Sequence, residues 1–138
     1  MSSNYSKGYR SVYKLTVHIV FVTKYRRKAI SSDILLRLKD IFQETLDKWD
    51  CQLIEFNGEL DHVHLLVSYK PEISLSKLIA NLKTVSSRLV RRDFPSLSSQ
   101  YFYNKPHFWT GAYFVSSCGG VTVEQLKKYV EAQDNPTE

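Results

Sequence analysis

Apolar and polar side chains alternate along residues 13–23, and this pattern predicts a β-strand with one fully apolar face. Successive side chains of a strand point to opposite faces, so the apolar face should lie against the core and His18 should lie on the other face. The apolar positions are Tyr13, Leu15, Val17, Ile19 and Phe21.

Shorter apolar stretches predict three further strands, at residues 51–57, 62–69 and 112–117. In the first of these, Ile54 and Phe56 are two residues apart and should share a face.

Two longer stretches have helical spacing, and their apolar stripes must cover a hydrophobic surface. Ser32 and Ser74 precede them and are expected to cap the helix N-termini. A shorter helix is predicted at 123–133, with Thr122 as its cap, after a flexible joint at 119–120. The stripes contain Ile34, Leu35, Leu38, Ile41, Phe42, Leu46 and Trp49 in the first helix, and Leu75, Leu78, Ile79, Leu82, Val85, Leu89 and Val90 in the second.

The predicted order is β-α-β-β-α-β followed by one extra helix, which matches the split β-α-β, or ferredoxin-like, layout. We therefore expect a single α+β domain over residues 1–138, with a core at about 12–133 and short flexible ends. Both long helices should cover one face of an antiparallel sheet and leave the other face for function. The first and third strands should be central neighbours. Residues 94–110 are expected to be irregular.

Charge favours a polyanionic partner, because the 138 residues carry 19 Lys and Arg against 14 Asp and Glu, a net charge of +5. No stretch is apolar enough for a bilayer, and no signal-peptide core or Gly-rich phosphate loop is present. We expect a cytoplasmic protein that binds no membrane and no nucleotide cofactor. Cys51 and Cys118 should be free thiols.

The segment from Asp61 to Leu66 is the most informative for chemistry. On a strand, Val63 would enter the core while His62 and His64 leave it together, which makes half of a site for a divalent metal. His18, on the outward face of the first strand, would border the same site. The alternative is two surface histidines, with His18 as an unrelated third.

Tyr129 and Gln133 are four residues apart on the predicted last helix, so they share a face. Tyr129 lies at the edge of the apolar stripe, where a ring can be held by packing while its hydroxyl points into a site. The alternative is a boundary tyrosine that fills space.

Positive charge is mixed with aromatic residues in two parts of the chain, and such grooves suit single-stranded nucleic acid. The alternative is a solvated basic surface over an aromatic core. The candidate contacts are Lys24, Arg26, Arg27, Lys28, Arg88 and Arg91. They are accompanied by Arg92, Lys105, Tyr25, Tyr101, Phe102, Tyr103, Phe108 and Trp109.

At these residues the sequence resembles the single-tyrosine HUH transposases of the smallest insertion sequences, where HUH denotes two histidines flanking a bulky apolar residue. The resemblance covers roughly residues 12–133. The matching segments are Lys24 to Lys28, Asp61 to Leu66, Phe108-Trp109, Phe114-Val115, Gly119 to Val121, and Tyr129 followed four residues later by Gln133.

The resemblance implies a ferredoxin-like homodimer that cleaves and rejoins single-stranded DNA with hairpin ends through a 5′-phosphotyrosine. Tyr129 would be the nucleophile, on a C-terminal helix that can reach the partner subunit's site. His62, His64 and Gln133 would bind Mg²⁺ or Mn²⁺, with Asp61 and His18 as neighbours.

Three alternatives stay open. One is a non-enzymatic module of the same fold that binds single strands and needs neither Tyr129 nor a metal. Another is a related HUH nuclease domesticated for repeated genomic palindromes. The third, a metal hydrolase of small phosphoesters, lacks the carboxylates expected in a two-metal site.

Overall fold

A computed structural model describes residues 6–8, 11–13, 15–117 and 128–133. A short 3-10 turn covers Lys24–Arg26. The pairing of the first two strands into a small antiparallel hairpin was not predicted from the sequence. The elements are β1 (Ser6–Gly8), β2 (Ser11–Tyr13), β3 (Thr16–Val22), α1 (Ser32–Lys48), β4 (Gln52–Gly58), β5 (His62–Ser68), α2 (Leu75–Asp93), α3 (Ser96–Tyr101) and β6 (Phe114–Ser117).

The main sheet has four antiparallel strands in the order β4-β5-β3-β6. This is the ferredoxin-like order, with the first and third predicted strands paired at the centre, so the predicted α+β fold is confirmed. The register places Val20 opposite His64 and Val22 opposite His62. Pairing therefore fixes both histidines on the strand that lies beside β3.

Helices α1 and α2 contact each other and share one hydrophobic core with the inward side chains of the sheet. Val17, Ile19, Phe21, Val63 and Leu65 are almost fully buried in that core, as their alternation predicted. Burial of this apolar surface holds the helices on one face of the sheet. The opposite face is left uncovered by these two helices.

Two local predictions were wrong. Ile54 and Phe56 do not share a face, because a register shift between Leu53 and Glu55 inserts one residue into β4. Leu53 and Phe56 pack against the core, whereas Ile54 is 47% exposed. The cap of α1 is Ser31 rather than Ser32, since its Oγ accepts a hydrogen bond from the backbone of Ile34 at 3.3 Å.

The cap of α2 lies at Ser74 as predicted, but no hydrogen bond from its side chain caps the helix. Residues 94–110 contain α3 and are therefore less irregular than expected. Phe102, Phe108 and Trp109 from this segment are buried, and the indole Nε1 of Trp109 donates to Ser86 Oγ at 2.9 Å. These three aromatic residues belong to the core and not to a stacking surface.

The predicted helix at 123–133 is described only in its last part, where residues 128–131 are helical. Its proposed cap Thr122, the joint at 119–120 and Cys118 lie outside the described residues. Among the residues that are described, no helix is both long enough and apolar enough to cross a bilayer.

Candidate functional site

His62 and His64 leave the core together, as predicted. Along β5 the side chains of Val63, Leu65 and Val67 are fully buried, while both imidazoles are only partly covered. The two rings stack with their centroids 6.2 Å apart and their planes inclined by 24°. The strand therefore presents two imidazoles side by side on the face that the long helices do not cover.

His18 borders this pair, because β3 and β5 are neighbours in the sheet. Its Nε2 lies 3.3 Å from Nδ1 of His64, which is hydrogen-bond distance. Burial lowers the pKa of both His18 and His64, and the pKa of His64 is lowered further by the charges of His18 and His62. Both rings therefore favour the neutral state, the form in which imidazole binds metals.

Asp61 orients the first histidine of the pair. Its Oδ1 lies 2.9 Å from Nδ1 of His62, and its Oδ2 lies 3.8 Å from Nε of Arg26. Burial opposes ionisation of Asp61, but the hydrogen bond from His62 and the charges of His62 and Arg26 outweigh it and lower the pKa. The carboxylate is therefore ionised and holds the His62 ring through its Nδ1 atom.

The two imidazoles fit one half of a metal site. In each, Nδ1 is engaged, and within the described part of the chain Nε2 makes no hydrogen bond. Histidines that bind metals commonly have their second ring nitrogen held in this way. Among described residues, no three His, Cys, Asp or Glu side chains could hold an ion together. A metal bound here would need a further ligand of another type or from another chain.

Gln133, the third predicted ligand, does not join the histidines in this arrangement. Its Nε2 donates to the backbone carbonyl of Tyr129 at 3.3 Å, so the amide is turned toward its own helix. The described helix ends at residue 131, so Gln133 follows it instead of sharing a helix face with Tyr129 as predicted.

Tyr129 packs against the last strand of the sheet, with its ring centroid 5.2 Å from that of Phe114. Its hydroxyl is buried and has no hydrogen-bond partner among the residues that the structure describes. Burial raises the pKa of Tyr129. The hydroxyl is therefore held protonated in an apolar environment, close to the sheet but not activated.

Arg26 connects this segment to the histidines. Its guanidinium donates from Nη1 to the carbonyl of Val130 at 3.4 Å and approaches Asp61, which holds His62. One arginine thus reaches both the residue after Tyr129 and the carboxylate behind the metal half-site. The sequence suggested Arg26 as a DNA contact, whereas here it is occupied within the protein.

The other predicted basic residues differ in their exposure. Lys28 and Arg88 are exposed, while Lys24, Arg27 and Arg91 are partly covered. The Nε atom of Arg27 donates to the carbonyl of Tyr101 at 3.2 Å.

Lys83 was missed by the sequence analysis although it is partly buried near Lys24. It lies eight residues before Arg91 on α2, with Ser87 midway. This four-residue spacing is the signal that could have placed Lys83 and Arg91 on one helix face.

A family model described as IS200-like transposase matches residues 11–133. The ISDra2 transposase TnpA of Deinococcus radiodurans is 28% identical over 127 residues, which are 92% of this chain and 89% of that protein. The transposase for insertion sequence element IS200 of Salmonella typhimurium is 28% identical over 116 residues, covering 84% of this chain and 74% of its own length.

Two solved structures share the fold. A crystal structure assigned to a transposase of Deinococcus radiodurans superposes with a TM-score of 0.86 at 28% identity, over 94% of this chain and 98% of that one. A REP-associated tyrosine transposase bound to a REP hairpin superposes with a TM-score of 0.56 at 10% identity, over 91% of this chain and 69% of that one.

Proposed function

The chain belongs to the IS200-like transposase family, and from this premise we propose that it cuts and rejoins single-stranded DNA at insertion-sequence ends with Tyr129 as the nucleophile. One observation carries the proposal. The paired imidazoles of His62 and His64 lie on the face of the sheet that α1 and α2 do not cover, and Arg26 links them through Asp61 to the segment that bears Tyr129.

The proposed reaction conserves the energy of the phosphodiester bond. The Tyr129 oxygen attacks the phosphorus, a new P–O bond forms, the bond from phosphorus to the 3′ oxygen breaks, and that oxygen leaves with a proton as a 3′-OH. The 5′-phosphate stays on the tyrosine as an ester. A second 3′-OH can then attack this ester and release the tyrosine, so rejoining requires no ATP.

His62, His64 and Gln133 are the residues that would hold a divalent cation. When bound, Mg²⁺ or Mn²⁺ would neutralise charge that develops on the scissile phosphate. Two imidazoles and an amide form a neutral ligand set that suits Mn²⁺ better than Mg²⁺, which prefers oxygen ligands. Asp61 supports the set by holding His62 Nδ1, which leaves Nε2 for binding.

Tyr129 must change its environment before it reacts. A tyrosine hydroxyl has a pKa near 10 in water, and burial raises the pKa of Tyr129 further. Within the described part of the chain, the hydroxyl also lacks a hydrogen-bond partner that could accept its proton. We therefore propose that the arrangement with Tyr129 against Phe114 is a resting state, from which residues 128–133 move when DNA binds.

The test of the function is a covalent adduct. Single-stranded DNA from the flanks of the gene, where imperfect palindromes are expected, is labelled at its 5′ or 3′ end and incubated with the protein and Mn²⁺. On a denaturing gel, only the 3′-labelled fragment should migrate with the protein, because the tyrosine retains the 5′-phosphate. The same sequence as a duplex is the control. Binding without any adduct would favour a non-enzymatic single-strand module.

We further propose that the protein is a homodimer, as the resemblance implies, and that it acts on hairpin-forming ends, which the likeness to a transposase bound to a REP hairpin supports. In such a dimer, His62 and His64 of one protomer would act with Tyr129 of the other. The buried hydroxyl of Tyr129 within its own chain supports this arrangement, since that position is unreactive.

Subunit mixing distinguishes an active site shared between protomers from one built within a chain. A His64→Ala protein and a Tyr129→Phe protein should each be inactive alone. After exchange, a mixed dimer would contain one intact composite site, and we expect up to about half of the wild-type cleavage per mixed dimer. If mass spectrometry confirms mixed dimers and cleavage is still absent, the shared site is rejected.

A further inference from the structure

A cluster of aromatic and basic side chains lies beside Arg26. The Arg27 guanidinium is 5.8 Å from the ring centroid of Tyr25 and 5.5 Å from that of Tyr103, and it donates to the Tyr103 hydroxyl at 2.7 Å. The rings of Tyr25 and Tyr103 meet edge to face with centroids 5.5 Å apart, and His107 adjoins Tyr25 at 6.3 Å. Tyr103 is 62% exposed, so aromatic surface is available to a ligand.

The backbone that presents these rings is strained. Tyr25 has φ of 59°, Tyr103 has φ of 55° and Asn104 has φ of 58°. Residues with a β-carbon rarely adopt this left-handed region, and bulky ones least of all. Hydrogen bonds hold the segment, including one from the amide of Asn104 to the carbonyl of Ser98 at 3.0 Å. Strain maintained by the surrounding structure is typical of binding sites.

Basic groups surround the rings and form no ion pairs with acidic side chains of the described residues. Lys24 Nζ lies 5.2 Å from the Tyr25 centroid. The pKa of His107 is lowered mainly by burial and further by the charges of Lys24, Lys105 and Arg91. The pKa of Lys83 is likewise lowered mainly by burial and further by the charge of Lys24. The ion pairs found in the described residues involve other lysines and arginines. These mutually repelling cations are complementary to a polyanion.

We propose that this aromatic–cation patch, formed by Lys24, Tyr25, Arg27, Lys83, Arg91, Tyr103, Lys105 and His107, holds single-stranded DNA beside the histidine pair. An unpaired base stacks on Tyr103, and neighbouring phosphates bind Lys24, Lys83 and Lys105. A duplex would not satisfy the patch, because its bases are stacked on one another. The proposal rests on the proposed function and names where the protein holds its substrate.

The position of the patch agrees with this role. Tyr25 and Arg26 are consecutive, yet Tyr25 joins the patch while Arg26 points to Asp61, whose other oxygen lies 2.9 Å from His62. A DNA strand bound to the patch would therefore lie close to His62 and His64. The backbone amide of Arg26 donates a hydrogen bond to the carbonyl of Thr23 at 2.8 Å. This turn holds the Tyr25 side chain toward the patch and the Arg26 side chain toward Asp61.

The first test measures stacking by fluorescence anisotropy with labelled single-stranded DNA and no divalent metal. Tyr103→Ala should weaken binding roughly tenfold, the usual loss for one stacked base. Tyr103→Phe keeps the ring and should stay within about threefold of wild type. In a scan of abasic nucleotides, one position should weaken wild-type binding by a similar factor and leave Tyr103→Ala unaffected.

The second test measures phosphate contacts. Lys83→Ala and Lys105→Ala should each reduce the log–log slope of affinity against salt by about 0.7. Lys39→Ala on the exposed side of α1 removes the same charge and should leave the slope unchanged. Lys105 is exposed, so its variant should fold even if Lys83→Ala does not.

Either of two results overturns the patch: Tyr103→Ala that binds like wild type, or an abasic scan in which no position depends on Tyr103. Preferential binding of duplex DNA would also contradict it. The adduct assay, run on the same wild-type protein, separates this failure from failure of the proposed function. Adduct formation together with an unaffected Tyr103→Ala rejects the patch alone, whereas loss of binding in Tyr103→Ala without any wild-type adduct rejects the proposed function alone.

Discussion

Replacing Tyr129 with phenylalanine is expected to abolish the DNA–protein adduct and to reduce strand cleavage by at least about a thousandfold, as loss of a nucleophile does in other enzymes. Phenylalanine keeps the ring that packs against Phe114 but lacks the oxygen that would attack phosphorus. The measurement is the gel assay with 3′-labelled single-stranded DNA and Mn²⁺.

The same substitution should not destabilise the protein. The Tyr129 hydroxyl is buried and has no hydrogen-bond partner in residues 6–8, 11–13, 15–117 and 128–133, and such a group costs about 1–3 kcal/mol of desolvation. Its removal should therefore leave the free energy of unfolding unchanged or raise it by up to about 2 kcal/mol. Urea denaturation, with hydrogen exchange of residues 128–133 to report local docking, measures this change.

Tyr113→Phe is the matched control. It removes a hydroxyl from a more exposed tyrosine next to Phe114 and should cleave like wild type. If Tyr129→Phe still forms the adduct, another residue is the nucleophile. If it is inactive and also clearly less stable, the hydroxyl has a structural partner in solution and the loss of cleavage does not identify a nucleophile.

The histidine half-site was predictable because it depends on strand periodicity alone. Val63 and Leu65 must enter the core. Because side chains alternate along a strand, His62 and His64 must then lie on the opposite face. The contact of His18 with His64 needed one more step, the order of strands, which the succession of elements supplied.

The position of Tyr129 was not predictable in this way. It depends on docking of a distant segment, in which Arg26 binds a carbonyl 104 residues away along the chain. No local pattern encodes such a contact. Ile54 was misplaced for a related reason, since one inserted residue reverses the alternation of a strand and leaves no mark in hydrophobicity.

The aromatic segment shows a third kind of limit. Composition grouped Tyr103 with Phe102, Phe108 and Trp109, but only Tyr103 is strongly exposed while the other three complete the core. Which rings are buried is decided by tertiary packing, including the hydrogen bond from Trp109 to Ser86. Likewise, left-handed backbone at Tyr25 and Tyr103 contradicts the preferences of tyrosine and arises from the fold around it.

Substitutions around the histidine pair should produce a graded loss of metal binding. His62→Ala and His64→Ala each remove an imidazole whose Nε2 has no hydrogen bond among the described residues, so each should abolish Mn²⁺ binding and cleavage. Asp61→Asn and His18→Ala only support those rings through Nδ1, and each should weaken Mn²⁺ affinity by about 10–100-fold. Isothermal titration with Mn²⁺ measures affinity and the number of sites per protomer.

The grading is what separates a metal site from a merely polar surface. His107→Ala removes an imidazole that lies against Tyr25 and not in the pair, so Mn²⁺ titration should be unchanged. All four site variants should remain folded, because the replaced side chains lie outside the hydrophobic core cluster. If His62→Ala and His64→Ala still bind one Mn²⁺ per protomer, these histidines are not ligands. Equal losses in all five variants would indicate a general effect on the fold. Complete loss of Mn²⁺ binding in His62→Ala and His64→Ala, with partial loss in Asp61→Asn, is expected if the carboxylate acts by holding His62 in place for the ion.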